Sequence, residues 1–550
     1  MRVLRAGPFG VVLEFERSAD VRRCFRAVRE LRGQGRGEAD GVIDVVPAER
    51  TVLLVGTFDD AGLQAVRELV RCLGEWEGST AGGAGDSLGV AGEAEAVELA
   101  IRYDGPDLAT VAELTGLSIG DVVRLHGAAE YTVAFTGFAP GFAYLAGLPP
   151  ELEVPRRSVP RTRVEAGAVG LAGPYSGVYP RASPGGWQII GHLAPGSETL
   201  WDSLRTPPAL LQPGARVRFR AVDGDRDESP EFVGAGAEAE PAGSGPGPGL
   251  PTSGETGSGE AGMRVVRVGL LTTVQDLGRP GFGHLGVSRA GAVDRPALML
   301  ANRLVGNDEG AAALETTVTG CAVEFSAARW VAVTGARAPV SVDGRGVGQG
   351  AAFYVRAGSV IEIGAAQVGV RCYLAVAGGI DSTLVLGSRS ADLLSGVGHD
   401  RLLAAGDLLP LGKPAGLPPD LPGIGIAPLR DAADPVVLRL LPGPRDDWFG
   451  PDALAVLATS RYVVSAASNR TALRLDGPAL RRVRTGELPS EGLVPGAVQV
   501  PPDGRPVLFL ADHPVTGGYP VIGCVHPDDL PAAGQARPGS GLRFRISPAR

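Results

Sequence analysis

A chain with 82 glycines and 45 prolines among its 550 residues cannot sustain many long helices. Glycine weakens a helix through backbone entropy, and proline through its missing N–H and a clash with the preceding turn. Such a chain can instead build many short strands joined by tight turns, and its 44% hydrophobic content gives those strands a core. A length of 550 residues exceeds what one core serves, so several domains are expected. The fold class that follows is mainly β, with an α+β unit at the N-terminus.

That unit spans residues 1–75. Strands are expected near Val3 and over Val11 to Phe15, and Val21, Cys24, Phe25, Val28 and Leu31 then fall at helical spacing behind Ser18, a candidate N-cap. Val42 to Val46 and Thr51 to Val55 read as strands, and Leu63, Val66, Leu69, Val70 and Leu73 as a second helix. The order βαββα suits a ferredoxin-like sandwich. A low-complexity linker covers 76–95, and 96–222 carries short apolar strands between Gly and Pro turns, as in a closed or partly closed barrel. Residues 223–262 open on Asp223, Asp225, Asp227 and Glu228 and continue as Pro, Gly, Ser, Ala, Thr and Glu, too polar to bury a core, and are expected to be disordered. Met263 then reads as a second start, the scar of two fused genes.

The two halves repeat each other. Ala166-Gly167-Ala168-Val169 precedes Gly185-Gly186-Trp187, as Pro495-Gly496-Ala497-Val498 precedes Gly517-Gly518-Tyr519. Ile190-Gly191 and Ile522-Gly523 follow at equal offsets, and then Arg218-Phe219-Arg220 and Arg543-Phe544-Arg545. Four landmarks in one order predict a repeated barrel. A weaker third copy is marked by Ala405 to Leu411.

A net charge of -9 argues against a nucleic-acid partner. Five scattered cysteines and six histidines without ligand spacing argue against a disulfide framework and a metal site. With no apolar leader at the N-terminus and no apolar run of membrane-spanning length, a cytoplasmic protein is expected. Of the 52 basic residues only Lys413 is a lysine, so a Walker A loop and a Met-Lys-Met biotinyl site are both absent, and any phosphate must be held by arginines and backbone amides.

At Thr136 to Pro149, Pro155 to Gly167 and Ser183 to His192 the first half resembles the KipI family, also called allophanate hydrolase subunit 1 or the B component of 5-oxoprolinase. At Thr272 to Asp294, Ala301 to Asn307, Ser468 to Leu475 and Ser490 to Val507 the second half resembles KipA, or the C component of 5-oxoprolinase. The resemblance implies cyclophilin-like barrels at 96–222, 263–415 and 416–550, working with a separate A component of the LamB/YcsF type to hydrolyse 5-oxoproline to glutamate with ATP, with Mg²⁺ as its counter-ion and no biotin on this chain. It equally admits the carboxyltransferase part of a biotin-dependent urea or amide carboxylase, and a KipI-like module that regulates a sensor kinase. Self-association stays open. Many C-type members have proline where this chain has Cys321, and Gln-Thr-Thr where it has Pro514-Val515-Thr516.

Arg156, Arg157, Arg161 and Arg163 form either an anion site, since guanidinium forks match carboxylate and phosphate, or a solvated basic loop. Phe142 and Tyr144 line a pocket or enter a core. Ser183, Gly185 and Gly186 form an anion nest or a tight hairpin, and Gly517, Gly518 and Tyr519 are their second-half counterparts. Gln275, Asp276 and Arg279 sit in a Gly-rich loop suited to catalysis and substrate binding. Asn302 caps a loop or meets a substrate amide, while Asp294 reads as a helix cap. Glu315 is a candidate base if its pKa is raised, or else a salt-bridge partner. Asn469 and Arg470 offer binding chemistry. The Gly85 to Gly89 string has the Gly-x-Ser-x-Gly pattern by chance, because no apolar strand precedes it.

Overall fold

The computed structural model describes residues 1–33, 41–56, 66, 71, 96–157, 159, 161–222, 261–398, 402–416, 435–484, 486 and 488–547. The 76–95 linker, residues 223–260, most of the expected second helix and the Gly85 to Gly89 string lie outside them.

The N-terminal unit is a four-stranded antiparallel sheet in the order Arg2–Arg5, Gly10–Glu14, Thr51–Gly56, Val42–Pro47. The helix Ser18–Gly33 links the second of these to the last, and Thr51–Gly56 lies between them, a split β-α-β connection. Val11, Val12 and Leu13 are all buried, so the strand has no wet face. Val11 and Leu13 pack with Val21, Phe25 and Val28 of the helix, while Val12, Val46 and Leu53 pack on Ala497, Phe509 and Cys524 from the far end of the chain.

Two seven-stranded barrels close, one over Val97 to Ala221 and one over Val436 to Ile546. In each, the first strand pairs in parallel with the last: Val97–Arg102 with Arg216–Ala221, and Val436–Pro442 with Gly541–Ile546. In each, the first strand also pairs with a strand carrying the Ile-Gly landmark, Gln188–Leu193 or Val521–Val525. Each has a two-stranded flap outside the closed sheet, Arg161–Val164 with Ser183–Gly185, and Glu491–Gly492 with Thr516–Gly517. The predicted repeat is therefore one topology used twice. Alternation explains the closing strands, with Val217 and Phe219 buried between exposed arginines and Phe544 buried between exposed Arg543 and Arg545.

The middle region departs from the expected third copy of the barrel. Residues 262–410 form a six-stranded and a five-stranded sheet around one core, and neither sheet closes. Leu408–Pro410, at the end of the weak third copy, is an edge strand on Gly262–Arg267. The helix Arg295–Leu304 packs on the five-stranded sheet, and Asp294 caps it by accepting the Ala297 amide at 3.1 Å.

Among the described residues no helix is long and apolar enough to cross a membrane, and no cluster of His, Cys, Asp and Glu could hold a metal ion.

Candidate functional site

A cavity of about 880 Å³ lies where the N-terminal sheet, the middle region and the last barrel meet. Phe9, Asp44 and Val46 come from the first half, Arg289 to Ala297, Thr334 to Arg337 and Gly369 from the middle, and Leu493, Leu510, His513 and Gln535 from the last barrel. No single unit could form it.

One wall is the segment from Arg289 to Arg295. Ala290 (φ 51°) and Gly291 (φ 88°) are both left-handed, which folds the chain sharply ahead of the helix. A side chain on Gly291 would meet the Gly278 amide at 2.7 Å, so only glycine fits. Behind this wall sits a buried ionic hub. Glu315 accepts the Val293 amide at 3.0 Å and the Tyr373 hydroxyl at 2.7 Å, and it pairs with Arg470. Tyr373 Oη in turn accepts the Asp294 amide at 2.7 Å. Arg470 grips Asp512 through Nε and Nη2, both at 2.9 Å, and donates to the Gly291 carbonyl at 2.8 Å.

This corrects the reading of Glu315 as a base. Burial alone would raise its pKa, but Arg470, Arg371, the Tyr373 hydroxyl and the Val293 amide outweigh it and hold the carboxyl below its usual value. Glu315 and Arg470 act one layer behind the cavity, as braces.

Gln275, Asp276 and Arg279 brace a second loop. Asp276 accepts from Ser388 at 2.7 Å, Ser390 at 2.6 Å and the Arg389 and Gly278 amides at 2.7 Å. Gln275 donates to the Ala391 carbonyl at 2.9 Å, and Arg279 donates to the Val385 and Ser390 carbonyls. Their side chains hydrogen-bond inside the protein, away from the cavity lining, while the Arg279 amide donates to the Arg289 carbonyl at 2.8 Å and the Asp276 carbonyl accepts the Ala292 amide at 2.9 Å, tying this loop to the cavity wall. Asn302 takes its capping alternative, donating to the Glu309 and Ala311 carbonyls at 3.2 and 2.7 Å. Asn469 makes a local turn through the Thr471 amide at 2.8 Å.

The four predicted arginines of the first barrel do not converge as a set. Arg157 and Arg161 meet on Asp107 at 2.8 and 2.7 Å, Arg163 pairs with Glu165 on the surface at 2.9 Å, and Arg156 is exposed near Gly518. Phe142 and Tyr144 are buried in an aromatic cluster with Tyr179 and Trp187, which is the core alternative. A side chain on Gly185 would strike the Tyr179 hydroxyl, and the Gly186 carbonyl accepts the Arg157 amide at 2.8 Å, so this segment is one strand of the flap, paired with the distant strand Arg161–Val164, and not a tight hairpin. The Ser183 hydroxyl is buried without a hydrogen-bond partner among the described residues. Gly517 belongs to the second flap, the Tyr519 carbonyl accepts from Gln499 at 2.9 Å, and the Tyr519 ring is exposed.

Of the cavity's charged residues, sequence reasoning named only Asp294, as a cap. It missed Arg289, Arg295, Arg337 and His513. The signal was present: two arginines six positions apart, bracketing a Gly-containing turn at a helix start. The Arg295 guanidinium makes no hydrogen bond or ion pair to any described residue, and burial, then the neighbouring Arg289, lowers its pKa to about 10. Among the described residues the Arg289 guanidinium has one acceptor, the Leu277 carbonyl at 3.3 Å, and burial, opposed by Asp44, lowers its pKa. His513 Nδ1 lies 2.8 Å from the Pro514 carbonyl, which can only accept, and burial lowers the ring's pKa. In the neutral ring this leaves the Nε2 lone pair free to accept a proton. The arrangement can bind an anion, exclude water with apolar walls and take up a proton.

Residues 1–211 match the family model described as carboxyltransferase domain, subdomain C and D, and residues 285–546 match carboxyltransferase domain, subdomain A and B. The chain is 40% identical over 284 residues to the C component of 5-oxoprolinase from Escherichia coli K12, covering 51% of this chain and 90% of that protein. It is 40% identical over 220 residues to the B component of 5-oxoprolinase from E. coli O157:H7, covering 39% and 92%. Urea amidolyase of Lachancea kluyveri is 33% identical over 51% of this chain, but that match spans only 16% of the yeast protein. The crystal structure of TTHA0988 is similar throughout, with a TM-score of 0.79, 34% identity and coverage of 98% of this chain and 99% of that one.

Proposed function

The chain belongs to the family of 5-oxoprolinase B and C components, built from carboxyltransferase domains, and from that membership we propose that it is the joined B and C part of an ATP-dependent 5-oxoprolinase. The observation that carries the reading is the cavity between the halves. Its walls come from the part similar to the B component and the part similar to the C component, so the site needs both at once. Fusion into one chain fixes their stoichiometry.

Opening a five-membered lactam is unfavourable without coupling. With a separate A component in the cytoplasm, Mg²⁺-bound ATP would transfer its γ-phosphoryl group to the lactam oxygen of 5-oxo-L-proline and leave as ADP; water would then attack the activated carbon, the ring C–N bond would break with a proton to nitrogen, and phosphate and L-glutamate would be released. This chain's part is to hold the substrate among apolar walls and to offer donors and a proton acceptor around it. The test is reconstitution. The purified chain alone should release little glutamate from 5-oxoproline and ATP, and turnover should appear when the A component is added. Robust turnover by the chain alone, or none with the A component present, refutes the proposal.

A second reading rests on the description of the matched domains and on the urea amidolyase relative: carboxyl transfer from a biotinylated partner protein to urea or another amide. Carboxylation that needs such a partner and is blocked by avidin would replace the first reading.

A further inference from the structure

We infer that Arg289 and Arg295 form an anion subsite in the cavity between the halves, holding the carboxylate of a small acidic substrate. The inference deepens the proposed function and rests on it for the identity of that substrate. The sequence reading placed the anion site at Arg156 to Arg163, but there the two least exposed arginines already share the Asp107 carboxylate.

The cavity contrasts with that cluster in its charge balance. Three carboxylates line it, and each is engaged elsewhere. Asp44 accepts the Gly281, Gly283 and Val45 amides at 3.2, 2.9 and 2.8 Å. Asp294 caps its helix and accepts Gln535 Nε2 at 2.8 Å. Asp528 pairs with Arg439 at 3.4 Å. Arg289 and Arg295 have no carboxylate within ion-pair distance among the described residues, and Arg337 on the same cavity has none either. A guanidinium taken partly out of water without a carboxylate in contact is costly; Arg289 feels only the more distant Asp44, and the two arginines repel each other. A bound carboxylate removes that cost, because it accepts in-plane N–H pairs from both forks. Arg295 also opens a ten-residue helix whose N-terminal dipole favours negative charge.

The geometry sets a substrate class. The remaining lining is largely apolar or backbone, including Val46, Val287, Leu300, Leu493 and Leu510, so the ligand should be a compact body with one acidic end. 5-Oxoproline meets this description. Urea has no acidic group, so the subsite favours the lactam over urea.

The test is calorimetric titration of the full chain at low salt with 5-oxo-L-proline, the neutral lactam 2-pyrrolidinone, and malonate. 5-Oxoproline should bind at least tenfold more tightly than 2-pyrrolidinone. Arg289→Gln and Arg295→Gln should each weaken it tenfold or more, while the surface control Arg163→Gln leaves it unchanged. Melting temperatures guard against misfolding, and Arg295→Lys, which keeps the charge but not the fork, should recover only part of the affinity. If 5-oxoproline binds and neither arginine matters, the subsite is wrong and the function stands. If malonate alone binds in an arginine-dependent way, the subsite stands and the 5-oxoproline reading falls. Failure of every acid to bind overturns the subsite.

Discussion

Asp107 and Arg445 occupy the same position in the two closed barrels and carry opposite charges. The Asp107 amide donates to the Ile189 carbonyl at 2.9 Å, and the Arg445 amide to that of Val521 at 3.2 Å, each one residue before the Ile-Gly landmark. Each side chain reaches the flap. Asp107 pairs with Arg161, which lies opposite Gly185, and Arg445 pairs with Glu491, which lies opposite Gly517. The two barrels thus carry the same clasp with its charged ends exchanged.

Removing one end should therefore be expensive. Asp107→Ala leaves Arg157 and Arg161 facing each other and the Ile189 amide without its 2.7 Å acceptor. The expected loss is about 3 kcal/mol, the low end for breaking such a pair because both arginines keep some contact with water. Urea unfolding should show it, and a loss below about 1 kcal/mol would refute the clasp. Arg163→Ala, on the surface, should stay within about 0.5 kcal/mol.

Arg470 should tolerate no replacement. Arg470→Leu strands the Asp512 carboxylate in a dry interior and leaves Glu315 with Arg371 as its one remaining arginine partner among the described residues, at a cost on the order of 5 kcal/mol. Arg470→Lys should recover little, since an ammonium cannot grip Asp512 bidentately and reach Gly291 as well. A lysine variant melting within a few degrees of the parent would contradict the bracing role.

Acid should loosen the first barrel through His126. The ring is fully buried between the Tyr103 hydroxyl at 2.8 Å and Ser176 at 2.9 Å, and burial lowers its pKa from 6.5 to about 3. Between those values the unfolded chain binds a proton that the folded chain does not, so stability falls as pH drops from about 6.5 toward 3. The full contribution is on the order of 5 kcal/mol. Stability measured against pH should show this acid limb, and His126→Gln should flatten it. An unchanged limb would assign the acid sensitivity to other groups.

The two halves should find each other without the linker. Halves produced separately as 1–240 and 262–550 should co-purify, because Leu53 and Val12 pack on the last barrel and Glu14 bonds Arg445 at 2.5 Å. A side chain at Gly492 would stand 2.6 Å from Leu53, so Gly492→Leu should abolish that co-purification, as read by size-exclusion chromatography. Retained association would move the interface elsewhere.

The duplicated barrel is legible in the sequence because its landmarks sit at turns and strand starts, where local chemistry dictates the residue. The cap at Asp294 is legible for the same reason. The open middle region is not, since whether a sheet closes depends on pairings between distant strands that leave the same alternation in each. Glu315 is misread locally because its ionisation is set by Arg470, 155 residues further on. The cavity escapes a linear reading altogether. Arg289 and Arg295 look like ordinary surface charges until the N-terminal sheet and the last barrel close over them.

The N-terminal sheet with two dry faces has a consequence for synthesis. One face finds its helix within a few dozen residues, but the other waits for the last barrel, and Glu14 meets Arg445 only 431 positions later. At ordinary translation speeds that delay is roughly 20 to 90 s, during which the nascent chain carries an uncovered apolar sheet. Joining the halves on one message shortens the search once the last barrel emerges, but it leaves the ribosome-bound chain as the species most exposed to aggregation.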